Sequence, residues 1–290
     1  MLGILFALGA LFSWMIGDFY IQKTSRTMGI WKALFFVSFF GMIVLYPFIS
    51  NDLPAVFIEE KNTIILGLAG VVTLFAALFM FEALKEGKFS IVEPIFGIEL
   101  PITVGLSVYF LNEMITSVQA FLIATIFIGC ILAVTIHIKQ LHYHKRILEK
   151  GVILAGIGAI GMALTNFLTG VSSQQVSPLM TMWFVNVILT GVCLFYLSIE
   201  GRIKDILNDF KKHTKVIVAA AILDNLAWIF YASSMTLIPI SIATAISESY
   251  IAGGVLLGLF VNREKLAKHQ IVGIILTILS VITLAAITNG

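Results

Sequence analysis

The chain has 290 residues, of which 59% are apolar and 12% charged, and its formal net charge is +2. Water-soluble domains run at roughly 45–50% apolar and 25% charged, so a soluble globular class is excluded. The slight positive balance carries no nucleic-acid signature, because the basic residues are spread over short gaps between apolar stretches.

A helix needs about 20 apolar residues to cross a hydrocarbon core of ~30 Å. Ten stretches meet that length and predict spans at 2–22, 30–50, 63–84, 91–111, 117–137, 151–171, 178–199, 214–237, 239–261 and 268–287. The predicted fold class is an all-α integral membrane protein with ten transmembrane helices. The first stretch lacks the basic flank of a secretory signal and is expected to stay as a helix. The longest gaps, 139–150 and 200–213, are expected to be loops, which leaves no room for a soluble catalytic or receptor head.

Cys130 and Cys193 fall within spans five and seven, where packing rather than a disulfide or zinc site is expected. His137, His142 and His144 sit beside Lys139, Lys145 and Arg146, which oppose cation binding; a solvated loop is expected there. The chain shows no Walker A loop and no Ser/His or His/Asp hydrolase set. No enzyme activity, cofactor or metal is therefore expected.

The gaps after spans one, three, five, seven and nine hold 17 of the 18 basic residues, Lys61 being the exception. Short cytoplasmic loops carry the Lys/Arg excess. These gaps are predicted to be cytoplasmic, and both termini extracytoplasmic.

The two halves also repeat. A shift of 148 sets Gly3 on Gly151, Ala7 on Ala155 and Asp18 on Asn166. A shift of 151 sets Ser90 on Ser241, Glu113 on Glu264 and Gln119 on Gln270. Each half contains five spans, an odd number, so the second copy would enter the membrane from the opposite side. The charges agree: the gap after span one is basic, while its counterpart after span six has no charge. The expected organisation is a first five-helix repeat at 1–138, a connecting loop at 139–150 and an inverted second repeat at 151–290. Inverted repeats are common in alternating-access transporters, with the substrate near the midplane between copies.

Two five-helix copies, each with a loop Glu followed six residues later by a Gln opening the last helix, resemble the EamA-type transporters of the drug/metabolite transporter superfamily. The first copy carries Ala83-Leu84, Ser90, Pro94-Ile95, Pro101 and Asn112-Glu113; the second has Ala245 and Ala252 where Pro94 and Pro101 would stand. The resemblance implies export or exchange of small solutes such as amino acids, metabolites, drugs or sugar phosphates.

Six acids lie within or at the edge of spans: Asp18, Glu82, Glu93, Glu99, Asp224 and Glu248. An acid at a helix centre costs about 2.5–3.5 kcal/mol on the insertion scale, so three deep ones amount to roughly 8–10 kcal/mol. That persists where the groups face a wet cavity, hold a proton or meet a cation. Glu99, Asp224 and Glu248 are the deepest and are the leading candidates for substrate binding or proton coupling. Trp228 and Tyr231 follow Asp224 at one and two turns, on one stripe. Ser241, Thr244 and Glu248 share a face of span nine, and Tyr250 is expected to line the cavity. Asp18 and its repeat partner Asn166 are expected nearer the helix ends. Glu82 and Glu93 flank a basic loop, where local ion pairing is expected. Trp14 and Trp183 read as packing or interface residues. Pro94 and Pro101 predict a kink beside Glu99, and Gly254 with Gly258, like Ala155, Ala159 and Ala163, predicts close helix seams.

A neutral, zwitterionic or cationic small molecule suits such a cavity, with protons as candidate coupling ion and membrane lipid as surroundings. A sugar phosphate would need basic residues in the core, where none are seen. The pattern is compatible with a monomer in the cell membrane. A passive channel, or a non-transporting scaffold or enzyme subunit, is the competing reading.

Overall fold

The structure is a computed structural model that describes residues 1–86, 92, 95–134, 145–255 and 266–288. Every regular element among these residues is a helix, as expected where hydrocarbon offers the backbone no hydrogen-bonding partner. In chain order they are α1 (Leu2–Met28), α2 (Ile30–Ile49), the one-turn α3 (Leu53–Val56), α4 (Glu60–Glu86), α5 (Glu99–Leu111), α6 (Ser117–Val134), α7 (Lys145–Gln175), α8 (Pro178–Ile199), α9 (Ile203–Ser234), α10 (Ile240–Glu248) and α11 (Lys268–Thr288). Eight of these, α1, α2, α4, α6, α7, α8, α9 and α11, are long and apolar enough to cross a membrane.

The outside of the bundle is apolar. Phe12, Phe75, Phe121 and Phe195 are all more than half exposed, whereas Ser38, Thr103, Thr181, Ser234 and Thr244 are fully buried. Small hydroxylated residues inside and large apolar ones outside suit a bundle solvated by lipid.

The fourth and ninth apolar stretches differ from the rest. Both were expected as continuous spans. Instead α5 starts at Glu99 after a turn at Gly97 and Ile98, and α10 ends at Glu248 with a turn at Ser249 before helix resumes over 250–255. Pro101 stands in the first turn of α5, where its missing N–H leaves no intrahelical bond unmade. The bend in this stretch therefore falls at Gly97–Ile98 rather than at Pro101. Pro94 lies outside the described residues, as do Gly258, His137, His142 and His144. Among the described residues nothing stands within 4 Å of a Cβ placed on Gly254. Ala155, Ala159 and Ala163 are fully buried, as a close seam requires.

The gap at 200–213 is not a loop. From Ile203 it is the start of α9, interrupted only at His213 (φ −125°, ψ 23°). Ile203, Leu207 and Phe210 recur at helical spacing among Lys204, Lys211 and Lys212, an amphipathic pattern that a search for apolar spans passes over. Its acids turn inward: the buried Lys32 of α2 pairs with Asp209, and more loosely with Asp205 at 3.9 Å. Likewise 145–150 begins α7, and Lys150 meets Glu82 at 3.6 Å, with Lys85 at 3.3 Å from the same carboxylate. Glu82 is thus ion-paired, in line with its expected place.

Helix pairing follows from small residues. α1 packs on α9, α4 on α7, α2 on α8 and α6 on α11. Between α6 and α11 a Cβ on Gly273 would stand 2.6 Å from the Gly129 carbonyl oxygen, so only glycine permits this approach. Cys130 and Cys193 are buried and free, Cys130 lying 3.9 Å from the Thr277 hydroxyl.

The repeated Glu and Gln have structural duties. Gln119 Oε1 accepts from Thr116 N (2.9 Å) while Thr116 Oγ1 accepts from Gln119 N (3.2 Å), a reciprocal cap opening α6. At the start of α11 Gln270 Oε1 likewise accepts from Ala267 N at 2.9 Å, without the returning side-chain bond, since Ala267 has no hydroxyl. Glu113 reaches across the bundle to the first turn of α10: its carboxylate accepts from Ile240 N (2.6 Å), Ser241 N (3.0 Å) and the Ser241 hydroxyl.

Candidate functional site

Between the helices lies a cavity lined by residues of both halves of the chain. Seven of the eight residues singled out in the sequence line it: Asp18, Glu99, Asn166, Asp224, Trp228, Glu248 and Tyr250. The eighth, Glu93, lies outside the described residues. Met80, Met162, Met182, Val185 and Leu189 supply apolar wall.

Each polar group reaches the cavity for a local reason. On α1, residues Ala7, Ala10, Trp14, Gly17, Asp18 and Ile21 form one buried stripe at helical spacing. Because α1 continues to Met28, Asp18 is deep within the helix rather than near its end, and it is 2% exposed. A side-chain hydrogen bond links it to Tyr250. Asn166 is likewise interior to the long α7. On α9, Asp224 and Trp228 stand one turn apart with a side-chain hydrogen bond between them. Tyr231 completes the stripe but packs behind the cavity, its hydroxyl 2.6 Å from that of Thr244.

All nine residues of α10 are buried. Of the face expected there only Glu248 reaches the cavity. Ser241 is engaged by Glu113, and Thr244 bonds Tyr231 and the Ile240 carbonyl. Glu248 accepts from Asn166 Nδ2 at 3.2 Å. The two buried glutamates differ in setting. Glu99 opens α5, where the helix dipole favours an anion, while Glu248 closes α10, where carbonyl ends oppose one.

Negative charge is concentrated on one wall. Asp18 lies near enough to Asp224 and Glu248 for their charges to interact. No Lys or Arg stands among the described residues lining the cavity. Among the described residues, Asp18 Oδ2, Asn166 Oδ1 and Thr169 Oγ1 are buried polar atoms on this wall without a hydrogen-bond partner. Trp14 gathers the rings, with centroids 5.2 Å from Trp228, 5.2 Å from Tyr231 and 5.9 Å from Tyr250. It therefore lines the cavity as well as packing. Trp183 does not; its indole donates to the Met42 carbonyl at 3.0 Å, beside Tyr46 and Phe184.

Sequence reading passed over a neutral polar wall. Asn186 Nδ2 donates to Asn225 Oδ1 at 2.9 Å, and Asn225 Nδ2 donates to the carbonyls of Val37 (3.0 Å) and Ala221 (2.9 Å). Thr190 donates to Ser38 at 3.0 Å. Gly41 gives the two amides room, since a Cβ there would collide with both. Asparagines inside apolar spans were the available signal, weaker than a charge because a neutral amide can be satisfied within its own helix. Among the described residues no three His, Cys, Asp or Glu side chains are arranged to hold a metal ion.

Residues 1–135 and 149–286 match the model of the EamA-like transporter family. An uncharacterized protein of Methanocaldococcus jannaschii is 32% identical over 96 residues, which cover 33% of this chain and 70% of the relative. A solved crystal structure superposes with a TM-score of 0.73 at 12% identity, covering 99% of this chain and 97% of the other, which shows a shared fold.

Proposed function

The chain belongs to the EamA-like transporter family, a family of membrane transporters, and we propose that it is a secondary transporter working by alternating access. A small organic solute, neutral, zwitterionic or cationic, would occupy the central cavity while the two halves rock about it. Glu99, Asp224 and Glu248 would bind it or exchange protons, Asp18 and Asn166 would complete the polar wall, and Trp228 and Tyr250 would contact its body. The protein would lie in the cell membrane with its basic loops cytoplasmic and both termini outside.

Three observations support two inverted five-helix copies, at 1–138 and 151–290 with 139–150 between them. The family model matches twice, once in each half. The packing pairs are reciprocal: the first helix of one half lies on the third of the other in both cases, as α1 on α9 and α7 on α4. Both interrupted stretches, at α5 and α10, bring a glutamate to the break. Broken helices near the midplane are where such transporters place substrate and coupling-ion sites.

The observation that carries this reading is the cavity itself, walled by acids from both halves of the chain. Purified protein in liposomes should accelerate entry of a radiolabelled amine or amino acid and show counterflow from preloaded vesicles. Uptake dependent on an imposed proton gradient separates coupled transport from a passive channel. A scaffold would move nothing, and neutralising Asp224 and Glu248 would leave it unaltered.

A further inference from the structure

We propose that the cavity recognises a protonated primary or secondary amine carrying an apolar body. The proposal deepens the transport reading above by naming the substrate class. It rests on what the acidic wall leaves undone. Asp18, Asn166 and Glu248 are each at most 5% exposed and face the cavity. Asp18 Oδ2 and Asn166 Oδ1 are both acceptors without a partner among the described residues. The Asn166 amide nitrogen Nδ2 already donates to Glu248 and so cannot serve them. Buried acceptors left unpaired are costly, and neighbouring carboxylates with no cation among the lining residues repel one another.

An ammonium group answers both needs at once. It brings positive charge between Asp18 and Glu248, and its N–H groups donate to the two orphaned acceptors, as charge-assisted bonds. A quaternary ammonium brings the charge but no N–H; an alcohol brings a donor but no charge; an anion meets only repulsion. The tryptophan faces of Trp14 and Trp228 stand on the same wall and attract cations. Met80, Met162 and Met182 also line the cavity and offer flexible apolar surface able to fit differing bodies.

Four probes sharing one phenethyl body separate these cases: 2-phenylethylamine, its trimethylammonium analogue, 2-phenylethanol and 3-phenylpropionate. The chain has four tryptophans. In a Trp31→Phe/Trp183→Phe background only the two lining the cavity report, by fluorescence of the purified full chain. The amine should give a saturable change, the trimethyl analogue should bind at least ten-fold more weakly, and the alcohol and carboxylate should give none. Asp18→Asn and Asn166→Leu should each weaken the amine at least ten-fold, while the lipid-facing Phe75→Leu should not. Equal binding of the trimethyl analogue, the alcohol or the carboxylate overturns the proposal, as does amine binding indifferent to Asp18→Asn and Asn166→Leu, or no saturable amine signal. Alcohol or carboxylate binding that Asn166→Leu abolishes would overturn the amine yet leave a solute cavity in place; only the liposome flux assay decides transport.

Discussion

Asn166 of α7 donates its side-chain amide to the Glu248 carboxylate at the end of α10, 3.2 Å away and 82 positions along the chain. The contact holds a carboxylate at the helix end that electrostatics disfavours, and it turns that carboxylate toward the cavity. Removing one partner of a buried hydrogen bond to a charged group costs about 1–3 kcal/mol or more. Asn166→Leu should therefore lower the thermal stability of purified protein, and Glu248→Gln in that background should restore part of the loss. Non-additivity in a double-mutant cycle checks this; strictly additive losses would show that the pair is not coupled.

Glu113 fastens the loop after α5 to the first turn of α10, where it takes the place of a helix cap. Loss of a capping side chain costs about 0.5–2 kcal/mol. Glu113→Ala should reduce stability by that order, and Ser241→Ala by less, because Ser241 N would still be bonded. Thermal unfolding in detergent compares the two. A larger loss for Ser241→Ala would contradict the capping role.

Lys32 is buried beside two acids of unequal exposure, Asp209 at 24% and Asp205 at 54%. Breaking a buried pair costs about 3–5 kcal/mol, while an exposed one is worth about 0–1 kcal/mol. With Asp209 partly solvated, Asp209→Asn should fall between these ranges and Asp205→Asn at the lower one. Urea or thermal melts of the two variants should rank accordingly; equal effects would count against Lys32–Asp209 as the principal pair.

Gly41 is the hydrogen-only surface against which Asn186 and Asn225 meet. Gly41→Ala forces these amides apart, and overpacking of this kind costs about 1–3 kcal/mol. The variant should melt lower and bind cavity ligands more weakly, whereas Gly67→Ala, which meets open space, should do neither.

What could be read in advance follows the energy scale of each feature. Glu99, Asp224 and Glu248 stood out because a charge deep within an apolar stretch demands a reason, and all three line one cavity; Asp18, expected nearer a helix end, joins them there. The Asn186–Asn225 amides raise no such alarm, since a neutral amide can bond locally. Helix α9 begins eleven positions before its expected start because short amphipathic turns fall below the hydropathy of a span. The break at Ser249 carries neither proline nor glycine, and its hydroxyl bonds back to the Ile246 carbonyl at 2.6 Å, a choice only the tertiary setting makes. Glu113 was legible as a repeated residue but not as a cap, because its partners lie 127 and 128 positions away.

In the proposed transporter Asp224 and Glu248 face a water-accessible chamber rather than lipid or dry packing. Substituted-cysteine labelling tests it without knowing the substrate. In a Cys130→Ala/Cys193→Ala background, Asp224→Cys and Glu248→Cys should each react with a hydrophilic cationic methanethiosulfonate, while the lipid-facing Phe12→Cys and Phe75→Cys should stay inert. Rates for the two cavity positions as slow as those for the lipid-facing pair would contradict the account.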